Sequence, residues 1–69
     1  MAGSVYKIIE LVGTSKKSWE DAAANAVAKA SKSLRNLRVG EITKLDMTVE
    51  DGKVTAYRAR ISVSFKYED

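Results

Sequence analysis

The segment at 53–68, "KVTAYRARISVSFKYE", alternates between apolar and polar positions along most of its length. Tyr57, Ala59, Ile61, Val63, Phe65 and Tyr67 fall on one side, and Arg58, Arg60, Ser62, Ser64 and Lys66 on the other. A period of two is the signature of a strand with one face buried and one face wet. The preceding segment, "GEITKLDMTVE" (40–50), has Leu45, Met47 and Val49 as its apolar set and Lys44, Asp46, Thr48 and Glu50 as its polar set. The two segments are joined by "EDGK" and predict a hairpin.

Parity constrains the connection. A two-residue Asp51-Gly52 loop on a regular ladder pairs odd positions with even ones and sets Leu45 against Arg58. A three-residue loop with Gly52 left-handed, as a G1 bulge, pairs odd with odd and keeps the apolar face whole. The sequence therefore predicts the bulged loop, with Asp46 opposite or diagonal to Arg58 on the polar face.

Upstream, "SWEDAAANAVAKASKSLRNL" (18–37) predicts a helix. Ser18 is a suitable N-cap, and Asp21 three residues on completes a pair resembling a capping box. Glu20 and Asp21 suit the positive end of the helix dipole. Trp19, Ala23, Ala26, Val27, Ala30, Leu34 and Leu37 recur at steps of three and four and form an apolar stripe. "VYKIIELV" (5–12) is rich in β-branched and aromatic residues and predicts a strand with apolar residues on both faces. Val5, Ile9 and Leu11 lie on one face, and Tyr6, Ile8 and Val12 on the other. "GTSKK" (13–17) reads as turn material.

The expected fold is α+β in the order β-α-β-β. One helix covers one face of a three-stranded antiparallel sheet with strand order 1-3-2. The last strand, about 14 residues long, would reach about 45 Å. A helix of about 19 residues spans about 28 Å. One helix cannot cover such a sheet, so the remaining apolar surface calls for further copies of the chain.

Composition supports this. Sixty-nine residues make one small domain (1–69) with no Cys and no His, so disulfides and zinc clusters are excluded as staples. Oligomerisation remains. No apolar run approaches the roughly 20 residues of a membrane helix, and no basic-then-apolar segment opens the chain; a cytoplasmic protein is expected. The net charge of +3 comes from twelve basic residues interleaved with nine acidic ones. That is a mixed solvated surface rather than a nucleic-acid footprint, although Arg58, Arg60 and Lys66 share the polar sheet face.

Without His or Cys the chain lacks the usual general base and thiol nucleophile, and it has no glycine-rich phosphate loop. No catalytic constellation is expected. Trp19 is expected to pack the helix end, and Tyr57 to belong to the core or an interface. Arg58 and Arg60 offer guanidiniums suited to phosphate or carboxylate. Glu41, Asp46 and Glu50 are carboxylates of the kind that bind hard cations, if several copies converge near a symmetry axis.

Taken together, "VYKIIELVGTS", the capped Ala-rich helix, "SLRNLRVGEI" and the ending "VSFKYED" resemble the dodecin family over nearly the whole chain. The resemblance implies a hollow homododecamer of cubic (23) symmetry. It also implies storage or sequestration of a flavin (riboflavin, FMN or FAD) without catalysis, with quenching of the flavin's excited state. Flavins in that family stack between symmetry-related tryptophans. Carried onto this chain, the stacking Trp falls on Val39, the next residue on Gly40, and a following Glu on Glu41. A Gln that bonds the flavin ring edge falls on Arg58, and a basic residue near the flavin phosphate falls on Asp46. The chain thus departs from the family pattern at three positions of one site. In Trp19, in residues 38–39 and in residues 46–47 it is similar to a branch lacking the stacking Trp, associated with calcium rather than flavin. Weakened flavin binding is the leading expectation, and divalent-cation binding by the same shell is the alternative.

Overall fold

A computed structural model describes residues 3–66. The elements follow the order β1 (Tyr6–Ser15), α1 (Trp19–Ser31), β2 (Leu37–Glu50) and β3 (Lys53–Lys66). The sheet is antiparallel with order β1-β3-β2, so β3 is central. The predicted topology and strand order are both present. Tyr67, expected on the apolar face, lies outside the described residues.

The alternation of β3 sorts the two faces. Ala59, Ile61 and Val63 are buried beneath α1, with Ile9, Leu11 and Leu37 packed against them. On the helix the buried positions are Ala22, Ala26 and Ala30. The observed stripe is rotated from the expected one, which passed over Ala22. In a run of three alanines, side-chain type alone does not say which one faces the sheet.

Three boundaries differ from expectation. The helix ends at Ser31 rather than at residue 37, and Ser33 and Leu34 N–H groups both donate to the Ala30 carbonyl as the last turn tightens. Asn36 then takes a left-handed conformation (φ 59°), and Leu37 opens β2 opposite Phe65. Leu34 and Leu37 keep helical spacing in sequence, but pairing with β3 captures Leu37. Tertiary pairing overrides a weak local preference here. Residues 37–39, expected to be helix end and connector, therefore belong to the sheet.

The second boundary is at "GTS", which is strand rather than turn. Gly13 pairs with Ala59 and Ser15 with Tyr57. Gly13 has a steric role. A Cβ there would lie 2.0 Å from the Ala22 carbonyl oxygen and 3.0 Å from Ala26 Cβ. The bare glycine lets the helix backbone rest on β1.

The third difference is the hairpin loop. It has two residues, Asp51 (φ 52°) and Gly52 (φ 75°), the positive-φ pair of a type I′ turn. The three-residue loop expected from parity is absent, but its consequence survives. Glu50 pairs with Lys53 and Val49 with Val54, after which the ladder skips Thr55 and pairs Thr48 with Ala56. From there to Lys44, odd residues face odd. The Thr55 hydroxyl contacts the Thr48 carbonyl oxygen (3.2 Å) and hydroxyl (2.6 Å), giving the bulge local partners.

The cap at the helix start is half of the predicted box. Ser18 Oγ accepts the Asp21 N–H at 3.0 Å. The Asp21 carboxylate accepts from the Ser15 hydroxyl at 2.6 Å, and Ser15 Oγ accepts the Lys17 N–H at 2.9 Å.

The chain is elongated, 57 × 20 × 14 Å, with a radius of gyration of 14.4 Å. About 11 Å is usual for a compact chain of this length. Ile42, Leu45, Met47, Val49 and Val54 are exposed along the hairpin, as are Ile8 and Val12 on the opposite face. Among the described residues no helix is long and apolar enough to cross a membrane.

The Gly13 contact yields a direct test. Gly13→Ala drives a methyl into backbone atoms that cannot swing aside, and is expected to cost about 1–3 kcal/mol or more. Urea unfolding of the variant checks this. An unchanged midpoint would mean that helix and strand can separate without loss.

Candidate functional site

The candidate residues lie along β2 and on its neighbour β3. Which face each occupies depends on a second bulge. Lys44 pairs with Arg60 and Ile42 with Ile61, so the ladder skips Thr43. The Thr43 hydroxyl donates to the Arg60 carbonyl at 3.2 Å. With that extra residue Ile42 and Gly40 share the helix side with Ile61 and Val63, and Val39 and Glu41 pair with Ser64 and Ser62 on the open face. Asp46, paired with Arg58, is on the open face too. A regular strand would place Glu41 and Asp46 on opposite faces.

The structure thus brings Val39, Glu41, Asp46 and Arg58 to one face and sets Gly40 on the other. A Cβ at Gly40 would lie 3.8 Å from Val27 Cγ2, ordinary packing distance. Val39 is 59% exposed. A cleft of about 130 Å³ beside it is lined by Val27, Leu37, Arg38, Val39, Gly40 and Val63. A larger, open apolar groove of about 460 Å³ lies elsewhere, between β1 and the second half of α1, with Leu11, Ala26, Ala30 and Leu34 in its walls. It includes none of the candidate residues. The large groove is where a lone helix leaves its flank uncovered.

Asp46 and Arg58 form the best-defined polar contact on the open face. Arg58 Nε–H donates to Asp46 Oδ1 at 2.7 Å, and Nη2–H donates to Oδ2 at 2.8 Å. This is the two-pronged geometry in which a guanidinium meets a carboxylate. The Arg58 hydrogen bonds, with the nearby Arg58 and Arg60 charges, hold the Asp46 carboxyl below its ordinary range against a smaller opposing effect of desolvation. The Arg58 guanidinium is pushed up, first by its hydrogen bonds to Asp46. The pair is solvent-exposed, 42% for the Arg58 side chain and 53% for that of Asp46.

The helix reaches the same residue. Trp19 Nε1–H donates to the Asp46 carbonyl at 2.8 Å. Its ring meets Tyr57 edge-on, with centroids 4.9 Å apart and planes at 67°. Trp19 therefore packs the helix start onto the hairpin, as expected. The bond to Asp46 had no signal in the sequence, since it joins residues 27 positions apart across two elements.

The carboxylates Glu41, Asp46 and Glu50 do not converge within one chain. Glu41 and Asp46 are five residues apart, roughly 16 Å along an extended strand, and both Asp46 oxygens are engaged by Arg58. Among the described residues no group of three or more His, Cys, Asp or Glu could hold a metal ion.

The Asp46 pairing gives a pH signature. A carboxyl that titrates lower in the folded than in the unfolded chain binds fewer protons when folded. Its stabilisation is therefore present above the unfolded value and lost as pH falls through the folded one. The difference in thermal midpoint between the wild type and Asp46→Asn should be constant above about pH 5 and shrink through the acid range below about pH 4. A difference independent of pH would sink the assignment.

The fold has many close relatives. The dodecin family model matches residues 5–68. The calcium dodecin of Mycobacterium tuberculosis is 50% identical over 64 residues, covering 91% of this chain and 89% of that protein. The dodecin of Thermus thermophilus is 39% identical over 67 residues, covering 97% of each. Among solved structures, dodecin from Streptomyces coelicolor matches with a TM-score of 0.93 at 35% identity, over 100% of this chain and 99% of that one. The crystal structure of the M. tuberculosis calcium dodecin, described as calcium-chelating with a calcium-binding site, matches with a TM-score of 0.83 at 47% identity, over 94% and 93%. Sequence and fold agree along nearly the full length: the chain belongs to the dodecin family.

Proposed function

We propose that the protein is a non-catalytic binding and storage shell. Twelve copies assemble, and each open-face site takes a flavin weakly. The observation that carries this reading is the grouping of Val39, Glu41, Asp46 and Arg58 on one solvent-facing side of the sheet. Val39 offers a small apolar surface for the face of a planar ring and Arg58 a guanidinium for its polar edge; Val39 pairs with Ser64, six residues from Arg58 and roughly 20 Å along the strand, so the two would come from different copies of the chain. Assembly is supported by the apolar residues left bare on both sides of the hairpin and by the elongated shape. A buried site bounded by other copies would exclude water from the ring in a way that one chain cannot.

Val39 sets the affinity. Stacking of a planar base on an aromatic side chain is worth about 1–3 kcal/mol, so its absence weakens binding by about 10- to 100-fold. The flavin is held by edge contacts and partial burial instead.

Calcium is the second reading, favoured by the 50% identity to a protein named calcium dodecin. Within one chain the carboxylates lie apart, so such a site would need Glu41, Asp46 or Glu50 from several copies. At Asp46 it would also compete with Arg58.

One set of measurements separates the readings. Ligand-free protein is titrated into dilute riboflavin in chelator-containing buffer, with flavin fluorescence as the readout. Saturable quenching is expected, and Val39→Trp should tighten it by about 10- to 100-fold. No quenching by either protein would defeat the flavin reading. A rise in melting temperature with added calcium, lost on chelation, would then favour the cation. Light scattering at micromolar concentration should give twelve chains per particle; a monomer or dimer would overturn the shell.

A further inference from the structure

Arg58 is the best-placed anion-binding group on the open face, and it is already engaged. Its Nε and Nη2 edge holds both oxygens of Asp46. A guanidinium edge of this kind matches a carboxylate or a phosphate, one at a time. We propose that Asp46 is a built-in occupant of the Arg58 fork and makes the open-face site select flavins without a phosphate, of the riboflavin kind, over phosphorylated ones of the FMN kind. The choice of flavin as ligand rests on the function proposed above. The exclusion of phosphate rests on the Asp46–Arg58 pair and its surroundings, independently of that choice.

Three observations support the exclusion. First, Asp46 cannot readily leave by moving its backbone. It is locked in register opposite Arg58, and its carbonyl oxygen accepts the Trp19 indole N–H from the helix. An incoming phosphate must therefore displace the carboxylate side chain or sit beside it, and in both cases it meets a negative charge. Second, that charge persists, because an aspartate carboxyl is ionised through the neutral range and Arg58 holds this one lower still. Third, the next open-face rung is cationic, and the open-face carboxylates Glu10 and Glu41 lie beyond it at Ser62. Lys44 pairs with Arg60 on the adjacent rung of the ladder. Without Asp46, the Lys44, Arg58 and Arg60 positions would offer three positive charges to an anion. One carboxylate thus turns an anion-attracting patch into one that rejects phosphate, and discrimination by an unfavourable charge is a common route to specificity. Both side chains are solvent-exposed on the single chain, which leaves the fork open to a ligand on the open face.

The test uses the wild type, Asp46→Ala and the isosteric Asp46→Asn, which preserves shape if the smaller side chain fails to fold. Riboflavin and FMN are titrated against each by fluorescence. In parallel, melting temperature is followed with inorganic phosphate, against chloride at matched ionic strength. The wild type should prefer riboflavin over FMN by about tenfold. Both variants should lose most of that preference, with FMN affinity rising more than riboflavin affinity. Phosphate should raise the melting temperature of the variants and leave the wild type where chloride leaves it. Equal stabilisation of all three proteins by phosphate would overturn the exclusion, as would an unchanged riboflavin-to-FMN ratio in the variants. If neither flavin binds any of the proteins while the phosphate contrast appears, the flavin reading fails and the selectivity for flavins falls with it. Phosphate exclusion by Asp46 would remain.

Discussion

Thr43 has no partner across the ladder, because Ile42 faces Ile61 and Lys44 faces Arg60. That single unpaired residue decides what the open face contains. On its N-terminal side, Val39 and Glu41 point away from the helix; on its C-terminal side, Asp46 does so as well. Side chains in a strand alternate strictly, so two residues five apart share a face only if one position is inserted between them. A strand without this bulge would turn Ile42 to the open face, away from Ile61, or set Leu45 among the arginines, away from Ala59.

Of the three bulges of the hairpin, two lie in β2 and one in β3. β3 pairs with β1 continuously from Tyr57 to Lys66, so the irregularities fall elsewhere. One is at Thr55, next to the turn; the others skip Thr43 and Arg38 in β2. Two of these residues are threonines whose hydroxyls bond to the neighbouring strand. The type I′ turn fixes an odd–even register at the tip, and the Thr55 bulge corrects it within two rungs. Turn chemistry and hydrophobic burial want different registers here, and the extra residue satisfies both.

Asp46 is where the two sides of the sheet meet. Its carbonyl is bound by Trp19 and its carboxylate by Arg58. Arg58 follows Tyr57, on which Trp19 packs. The start of the helix is thereby tied to the candidate site through one residue of β2. The helix itself lies close to β1 because Gly13 offers no Cβ to the Ala22 carbonyl. These contacts lie on the described chain alone, whereas the bare apolar residues along the hairpin have no cover within it.

Much of the architecture was legible in the sequence. The alternation of β3, the Ser18 cap and the β-α-β-β order follow from local rules, because the period of a strand and the orphan N–H groups of a helix depend on near neighbours. The rotated alanine stripe, the early helix end at Ser31 and the strand character of Gly13 to Ser15 do not. Each is set by what lies across the sheet or beneath the helix. The site was legible as a set of residue types. The pairing of Asp46 with Arg58 followed from parity, while the face of Glu41 did not. A signal was present in the three-residue gap between Ile42 and Leu45, which regular alternation cannot bury on one side. The sequence by itself determined which residues are apolar, which are charged and how long the elements can be. Only the tertiary structure decided where the extra residues of β2 and β3 are absorbed, because a bulge is chosen by the fit between strands and not by any one of them.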